Sequence, residues 1–251
     1  MNQNNSYSGK IYLASDFHLG IDAKHSSTDR EILIVKWLEE IGQDASLIIL
    51  VGDIFDYWFE YKQVVPRGFS RFWSKIRELR DKDIPIIFFT GNHDMWMFDY
   101  ATKEYGIPIL RDPTEFILNN KKVLIHHGDG LGPGDYGYKF IKLFTSSKLC
   151  QWLFARFHPN FALATMRLFS GTSRSFDKEI KFDPEKERLV QYCEELSQKK
   201  EYDYMIFGHR HLVIDHQLTN GKTKYMNLGD WLHSCSYFEI TPKTFKIKYY
   251  E

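Results

Sequence analysis

Short apolar runs alternating with amphipathic stretches predict an α/β fold for this 251-residue chain. The form expected is a four-layer αββα sandwich of two mixed sheets with outer helices, plus a helical lid insertion. Three observations predict it. Five runs of strand length each lead into a polar cluster, helical patterns separate the first three, and the C-terminal part turns all-β.

Residues 1–10 are polar, lack an apolar signal core and read as a disordered N-terminal tail. Residues 11–15 form the first strand and lead into Asp16-Phe17-His18. A buried helix face follows at Ile32, Leu33, Val35, Trp37, Leu38 and Ile41. The strand at 47–51 leads to Gly52-Asp53, and Phe69, Phe72, Trp73, Ile76 and Leu79 have the spacing of a second amphipathic helix. The run 86–90 leads to Gly91-Asn92-His93-Asp94, 123–125 to His126-His127-Gly128-Asp129, and 204–207 to Gly208-His209-Arg210-His211. Strands at 225–228, 236–240 and 245–250 complete a second sheet. Every polar cluster falls at the C-terminal end of its strand, the edge at which open α/β sheets build their sites.

Gly132-Pro133-Gly134 marks a hinge. The predicted main domain is therefore 11–131 plus 200–251, with 132–199 as the inserted lid. Residues 137–176 contain no Asp or Glu, but hold Lys139, Lys142, Lys148, Arg156, Arg167 and Arg174 among many large aromatics. A basic, aromatic surface suits an anionic amphiphile and a membrane interface. An ordinary helical hairpin with buried faces has a similar composition.

Lys plus Arg equals Asp plus Glu, 33 each. The neutral balance argues against a large phosphate-backbone footprint, so no nucleic acid is expected as a partner. The cysteines Cys150, Cys193 and Cys235 are isolated, so neither a structural zinc site nor a disulfide framework is expected. No apolar run is long enough to span a bilayer, and a cytoplasmic protein, soluble or peripheral on the membrane, is expected. Nothing in the sequence sets an oligomeric state.

A lone Asp-x-His is a common chance pairing, and a single histidine on an apolar run is ordinarily a packed core residue. Five clusters in order, each after its own strand, are another matter. They supply Asp16, His18, Asp53, Asn92, His127, His209 and His211: imidazoles, carboxylates and one amide, with no thiolate. That set suits two divalent ions of the Mn²⁺, Fe²⁺ or Zn²⁺ kind, sharing one bridging carboxylate. His93 adjoins Asn92 and is the candidate for acid–base work. Asp56, three residues after Asp53, is either its electrostatic partner or a helix N-terminal cap. His126 reads as packing or support behind the ligands.

The blocks Asp16-Phe17-His18, Gly52-Asp53-Ile54-Phe55-Asp56, Gly91-Asn92-His93-Asp94, His127-Gly128-Asp129 and Gly208-His209-Arg210-His211 resemble the calcineurin-like metallophosphoesterase signature. The resemblance spans about 11–131 and 203–232. It implies that Asp16, His18, Asp53 and His211 hold one metal and that Asp53, Asn92, His127 and His209 hold the other. It also implies an Asp56–His93 pairing.

Two further blocks, Gly52-Asp53-Ile54-Phe55-Asp56-Tyr57-Trp58 and Leu228-Gly229-Asp230-Trp231, together with the helical lid, are similar to the UDP-2,3-diacylglucosamine hydrolase branch. That branch implies hydrolysis of the substrate pyrophosphate in lipid A biosynthesis, usually with Mn²⁺. It also implies Arg167, Ser173, Arg174 and Ser175 as phosphate or head-group contacts. The chain departs from the branch's best-known members at His93, where they carry Arg; His is the general superfamily residue. Tyr57, Trp58 and Phe59 are read either as a wall for a base, sugar or acyl chain or as simple packing. Two alternatives stay open: a phosphodiesterase or pyrophosphatase on another nucleotide conjugate, and a non-catalytic scaffold of the same fold.

Overall fold

The computed structural model describes residues 5–134, 136–174 and 182–251, with 168–174 described by backbone alone. The chain runs through β1 (Ser6–Tyr7), β2 (Ile11–Ala14), α1 (Ser27–Ile41), β3 (Leu47–Val51), α2 (Ser70–Asp81), β4 (Ile86–Phe89), α3 (Tyr100–Tyr105) and β5 (Ile109–Leu110). It continues through β6 (Thr114–Leu118), β7 (Lys121–His126), α4 (Tyr136–Ser146), α5 (Lys148–Phe154), α6 (Pro159–Arg174) and α7 (Arg188–Ser197). It ends with β8 (Tyr204–Phe207), β9 (Val213–Gln217), β10 (Lys224–Leu228), β11 (Ser236–Ile240) and β12 (Phe245–Tyr249).

Two mixed sheets stack face to face, in the orders β12-β11-β2-β3-β4-β5 and β1-β6-β7-β8-β10-β9. Side-chain alternation along each strand separates three cores. Ile11, Leu13, Leu47, Ile49 and Val51 meet Val123, Ile125, Ile206 and Met226 between the sheets. The odd-man neighbours Tyr12, Ala14, Ile48 and Leu50 face Trp37, Leu38, Phe72 and Ile76 of α1 and α2. On the opposite side Leu124, Met205 and Phe207 pack on Leu189, Val190 and Cys193 of α7. This is the four-layer sandwich that the sequence predicts.

The structure corrects three of the expectations. Residues 1–10 do not form a tail throughout, because Ser6 and Tyr7 pair in parallel with Ile117 and Leu118 of β6. The predicted insertion 132–199 is too long at its C-terminal end, since α7 is part of the outer layer and not of a lid. In α1, Ile32 faces outward at 38% exposure, and the buried face instead includes Arg30, Glu31 and Ile34. Arg30 is buried because its guanidinium caps backbone: Nε donates to Phe17 O at 2.8 Å and Nη2 to His18 O at 2.6 Å. It pins the first polar loop to α1. In α2 the predicted face holds at Phe72, Trp73, Ile76 and Leu79, while Phe69 caps the helix in a left-handed conformation.

Helices α4 and α5 bury no side chain. Phe140, Leu143, Phe144, Trp152 and Phe161 are each between 54% and 73% exposed. A few contacts hold these helices against the sandwich. Phe154 packs 4.9 Å from Phe59 and 4.7 Å from Trp96, ring centre to ring centre. Trp96 Nε1 donates to Thr145 O at 2.8 Å, and Lys142 Nζ reaches Asp129 Oδ2 at 2.6 Å. No helix among the described residues is long and apolar enough to cross a membrane.

Candidate metal centre

The ends of β2, β3 and β4 in one sheet and of β7 and β8 in the other converge on one edge of the sandwich. Backbone bonds set the loops against each other: Asp16 N donates to Gly52 O at 3.1 Å and His18 N to Asp53 O at 3.0 Å. All seven predicted ligands meet there. Asp16, His18 and His211 form one group, and Asp53, His127 and His209 a second, each with its ligand atoms within 4.8 Å of one another. His211 Nε2 stands 3.2 Å from Asp16 Oδ1, and His127 Nε2 stands 3.2 Å from Asp53 Oδ2. Asn92 Oδ1 joins the second group at 3.3 Å from His127 Nε2. Asp53 Oδ2 is also 3.9 Å from His18 Nε2. It lies between the two groups, the place of the shared carboxylate.

Partners behind the ligands choose which atoms face inward. His18 Nδ1 donates to Asp56 Oδ1 at 3.1 Å, and His127 Nδ1 to Val51 O at 2.9 Å. Each Nε2 is thereby turned toward the centre, the arrangement by which a carboxylate or carbonyl orients a ligand imidazole. Asp56 thus stands beside two histidines, His18 and the predicted His93. Its carboxylate serves His18, whereas His93 Nδ1 donates to the Asp56 backbone carbonyl at 2.9 Å and lies 3.8 Å from the carboxylate. His93 also donates its backbone N–H to Asp53 Oδ1 at 2.8 Å, and with His18 and Asp56 it forms a third cluster of the same tightness beside the other two.

Three features test whether these residues fit a pair of cations. Asp16 Oδ1 is buried without a well-formed hydrogen bond and faces only the ring nitrogens of its own group, His211 Nε2 at 3.2 Å and His18 Nε2 at 3.8 Å, as a ligand oxygen awaiting a cation would. The backbone makes room for the carboxylates: a Cβ on Gly91 would come 2.3 Å from Asp53 Oδ1, and one on Gly208 would come 2.6 Å from Asp16 Oδ2. Finally, Asp16, His18, Asp53, His209 and His211 all adopt positive φ, between 45° and 70°. Left-handed backbone at a non-glycine residue costs about 1 kcal/mol or more and persists where the surrounding structure enforces it. The residues fit the metal pair.

The electrostatics agree. Burial works to lower the His18 pKa, but Asp16, Asp56 and Asp53 together raise it to about 10. Burial likewise opposes His127, which Asp53 nevertheless lifts well above the usual imidazole range. Burial would raise Asp16 and Asp53, yet the neighbouring histidines hold both carboxyls well below their ordinary value. In the protein alone, protons on His18 and His127 supply the positive charge that these carboxylates demand. Divalent cations would replace them.

Several supporting residues carry no predicted role. Asp94, buried at 2% exposure, accepts from Gly91 N at 2.7 Å and from Ile54 N at 2.8 Å. It ties the Asp53 loop to the Asn92 loop. It stands inside the Gly91-Asn92-His93-Asp94 block, where an acidic residue following an otherwise assigned run is the available signal. Asp129 accepts from Tyr138 Oη at 2.8 Å and pairs with Lys142, anchoring α4 beside the centre. His126 is support, its Nδ1 accepting from Gly128 N at 2.9 Å.

Among the predicted substrate contacts, Arg167 lies on α6 with its guanidinium 5.3 Å from the Tyr57 ring centre. Ser173 and Arg174 belong to the last turn of α6, among residues described by backbone only, and Ser175 lies outside the described residues. Of the aromatic trio, Trp58 is a core residue at 0% exposure and Phe59 faces α5, so only Tyr57 lines a cavity.

A family model for calcineurin-like phosphoesterases matches residues 9–213. The chain belongs to that family. As a calcineurin-like phosphoesterase it is a hydrolase, and its family chemistry uses divalent metal ions. The chain is 37% identical over 247 residues to a protein of Porphyromonas gingivalis named UDP-2,3-diacylglucosamine hydrolase, covering 91% of this chain and 92% of the relative. A protein of Histophilus somni with the same name is 27% identical, over 94% and 98% of the two chains. A solved structure described as a novel archaeal phosphodiesterase covers 96% of this chain and 99% of its own, at 15% identity and a TM-score of 0.45.

Proposed function

We propose that this phosphoesterase hydrolyses UDP-2,3-diacylglucosamine at its pyrophosphate, releasing UMP and 2,3-diacylglucosamine 1-phosphate. The observation that carries the proposal is the gathering of the seven candidate ligands at one edge of a chain that is 37% identical, over most of its length, to a protein named UDP-2,3-diacylglucosamine hydrolase. Asp16, His18, Asp53 and His211 would hold one ion, and Asp53, Asn92, His127 and His209 the other, with Mn²⁺ as the metal. Such a pair supplies charge neutralisation on the phosphoryl oxygens and a more acidic water.

The chain's own groups do the rest. Asp56 orients His18, and Val51 O orients His127. His93 serves the leaving oxygen. Burial lowers its pKa despite the nearby Asp53, so the imidazole is neutral near pH 7. The phosphate charge of a bound substrate raises it toward the donating form. The exposed apolar residues of α4–α6 receive the acyl chains or rest on the membrane surface, and their Lys and Arg groups face anionic head groups. The reading is of a cytoplasmic enzyme, peripheral on the inner face of the membrane, and the exposed apolar residues support it.

The test is turnover of UDP-diacylglucosamine by the Mn²⁺-loaded protein, followed as UMP release. UMP together with the diacylated sugar 1-phosphate supports the proposal. Turnover of small phosphodiesters without turnover of the lipid substrate would assign the centre to another nucleotide conjugate.

A further inference from the structure

A cavity of about 570 Å³ opens beside the metal centre on its Asp56 side. Arg67, Arg71 and Arg167 line it, together with Tyr57, Asp56 and Ser70. These arginines come from the loop before α2, from the first turn of α2, and from α6, so only the tertiary fold brings them together.

Three carboxylates also line the cavity, but each is occupied. Asp22 Oδ1 accepts from Ser27 N at 2.8 Å. Glu31 Oε1 accepts from Phe72 N at 3.0 Å, and its Oε2 stands 3.7 Å from Arg71. Asp56 orients His18. Among the described residues, neither Arg67 nor Arg167 has a carboxylate partner, and the Arg167 contact is the Tyr57 ring. Arg67 and Arg167, guanidinium forks with no carboxylate of their own among the described residues, match the oxygens of a phosphate, which accept two parallel N–H bonds from each fork, while Arg71 keeps its pairing with Glu31. The rest of the wall is mainly polar, with Ser27, Thr28 and Ser70 contributing beside Ile21 and Phe69. It suits an oxygen-rich anion and not an acyl chain.

We propose that the Arg67–Arg71–Arg167 cavity is a phosphate subsite that holds the substrate phosphate which is not attacked. The proposal rests on the reading of the centre as a pyrophosphate-cleaving one. The cavity borders Asp56, and Asp56 holds His18 of the first metal group, so in this proposal a diphosphate sets one phosphate at the metals and the other in the cavity. A simple diester has one phosphorus and reaches only the metals. The subsite makes the enzyme selective for diphosphate-linked substrates.

The test uses the full-length Mn²⁺-loaded protein, a panel of nucleotide-diphosphate sugars with and without acyl chains, and bis(p-nitrophenyl) phosphate. Arg67→Ala is expected to lower the ratio of kcat/KM for the preferred diphosphate substrate over the small diester by about tenfold to a hundredfold, the size of one lost charge-assisted contact. Arg67→Lys should recover part of that loss, and Arg167→Ala should repeat it. Arg67 is exposed, so folding is not at stake. Calorimetric titration with inorganic phosphate gives a readout without turnover: the double variant should lose one of the binding events seen in the parent. Equal losses on both substrate types overturn the subsite, as does lost phosphate binding with an unchanged ratio. Failure of the lipid-linked substrate alone would remove the substrate assignment. The ratio on the remaining diphosphates would still decide the subsite.

Discussion

Replacing Asp94 with Ala tests whether one buried carboxylate keeps the metal loops in register. Asp94 accepts from Gly91 N at 2.7 Å, Ile54 N at 2.8 Å and Phe55 N at 3.4 Å. Each buried amide left without an acceptor costs about 1–3 kcal/mol. The two short bonds together are therefore worth about 2–6 kcal/mol, and the long one adds little. The sum is a large part of a domain stability of about 5–15 kcal/mol. Asp94→Asn keeps one acceptor oxygen and should cost about half as much. Burial and the Asp53 charge raise Asp94 to about 6, so measurements at pH 8 keep it ionised. The assay is urea unfolding of the metal-free protein, followed by circular dichroism, with metal titration alongside. Ile54 follows Asp53 and Gly91 precedes Asn92, so metal affinity should fall with stability. An Asp94→Ala variant within 1 kcal/mol of the parent, on the scale of an ordinary surface change, would refute the reasoning. So would an Asn variant weaker than the Ala variant.

Four further outcomes are expected. Elemental analysis should find two divalent ions per chain, and Asp53→Ala should lose both, while a variant that keeps one normally bound ion would show that Asp53 does not bridge. His93→Ala should lower turnover by about 10²–10⁴-fold with metal content near that of the parent, and loss of one ion would make His93 a ligand instead. Burial pushes the Cys193 thiol well up, so it should resist a thiol reagent at pH 8 until the chain unfolds and its pKa returns to about 8.5. The sign also means that this residue's contribution to stability is intact below about pH 8.5 and declines as pH rises beyond it. Rapid labelling in the folded state would contradict the packing of α7. Removing both acyl chains should make the UDP-sugar a far poorer substrate, since each buried methylene contributes about 0.8 kcal/mol; equal kcat/KM values would show that α4–α6 do not receive the chains.

The candidate ligand set was legible because each member falls within four residues of the end of one of five apolar strands. Chemistry-bearing residues at a strand end are local in sequence, and parallel strands then carry them to one edge. The Phe72, Trp73, Ile76 and Leu79 face of α2 was legible for the same local reason, a helical period on a helix that covers a sheet. Arg30 and Glu31 were not legible as buried, because the groups that satisfy them, Phe17 O and Phe72 N, lie 13 and 41 residues away. That Asp56 also serves His18 was not legible, for a similar reason. His93 and His18 both approach Asp56, and only side-chain direction assigns the carboxylate to His18 and the carbonyl to His93.

The sequence by itself determined the layered α/β class, the order of the strands that build the site, the seven candidate ligands that meet there and the absence of thiolates among them. These follow from periodicity and from residue type, which need no knowledge of distant contacts. Only the tertiary structure decided that α7 covers the second sheet, that Asp94 binds two loops together, and that Arg67, Arg71 and Arg167 share one cavity. Each of those depends on groups far apart in the chain meeting at distances of a few ångströms. Hydrogen bonds and charge pairing act at that range, whatever the separation in sequence.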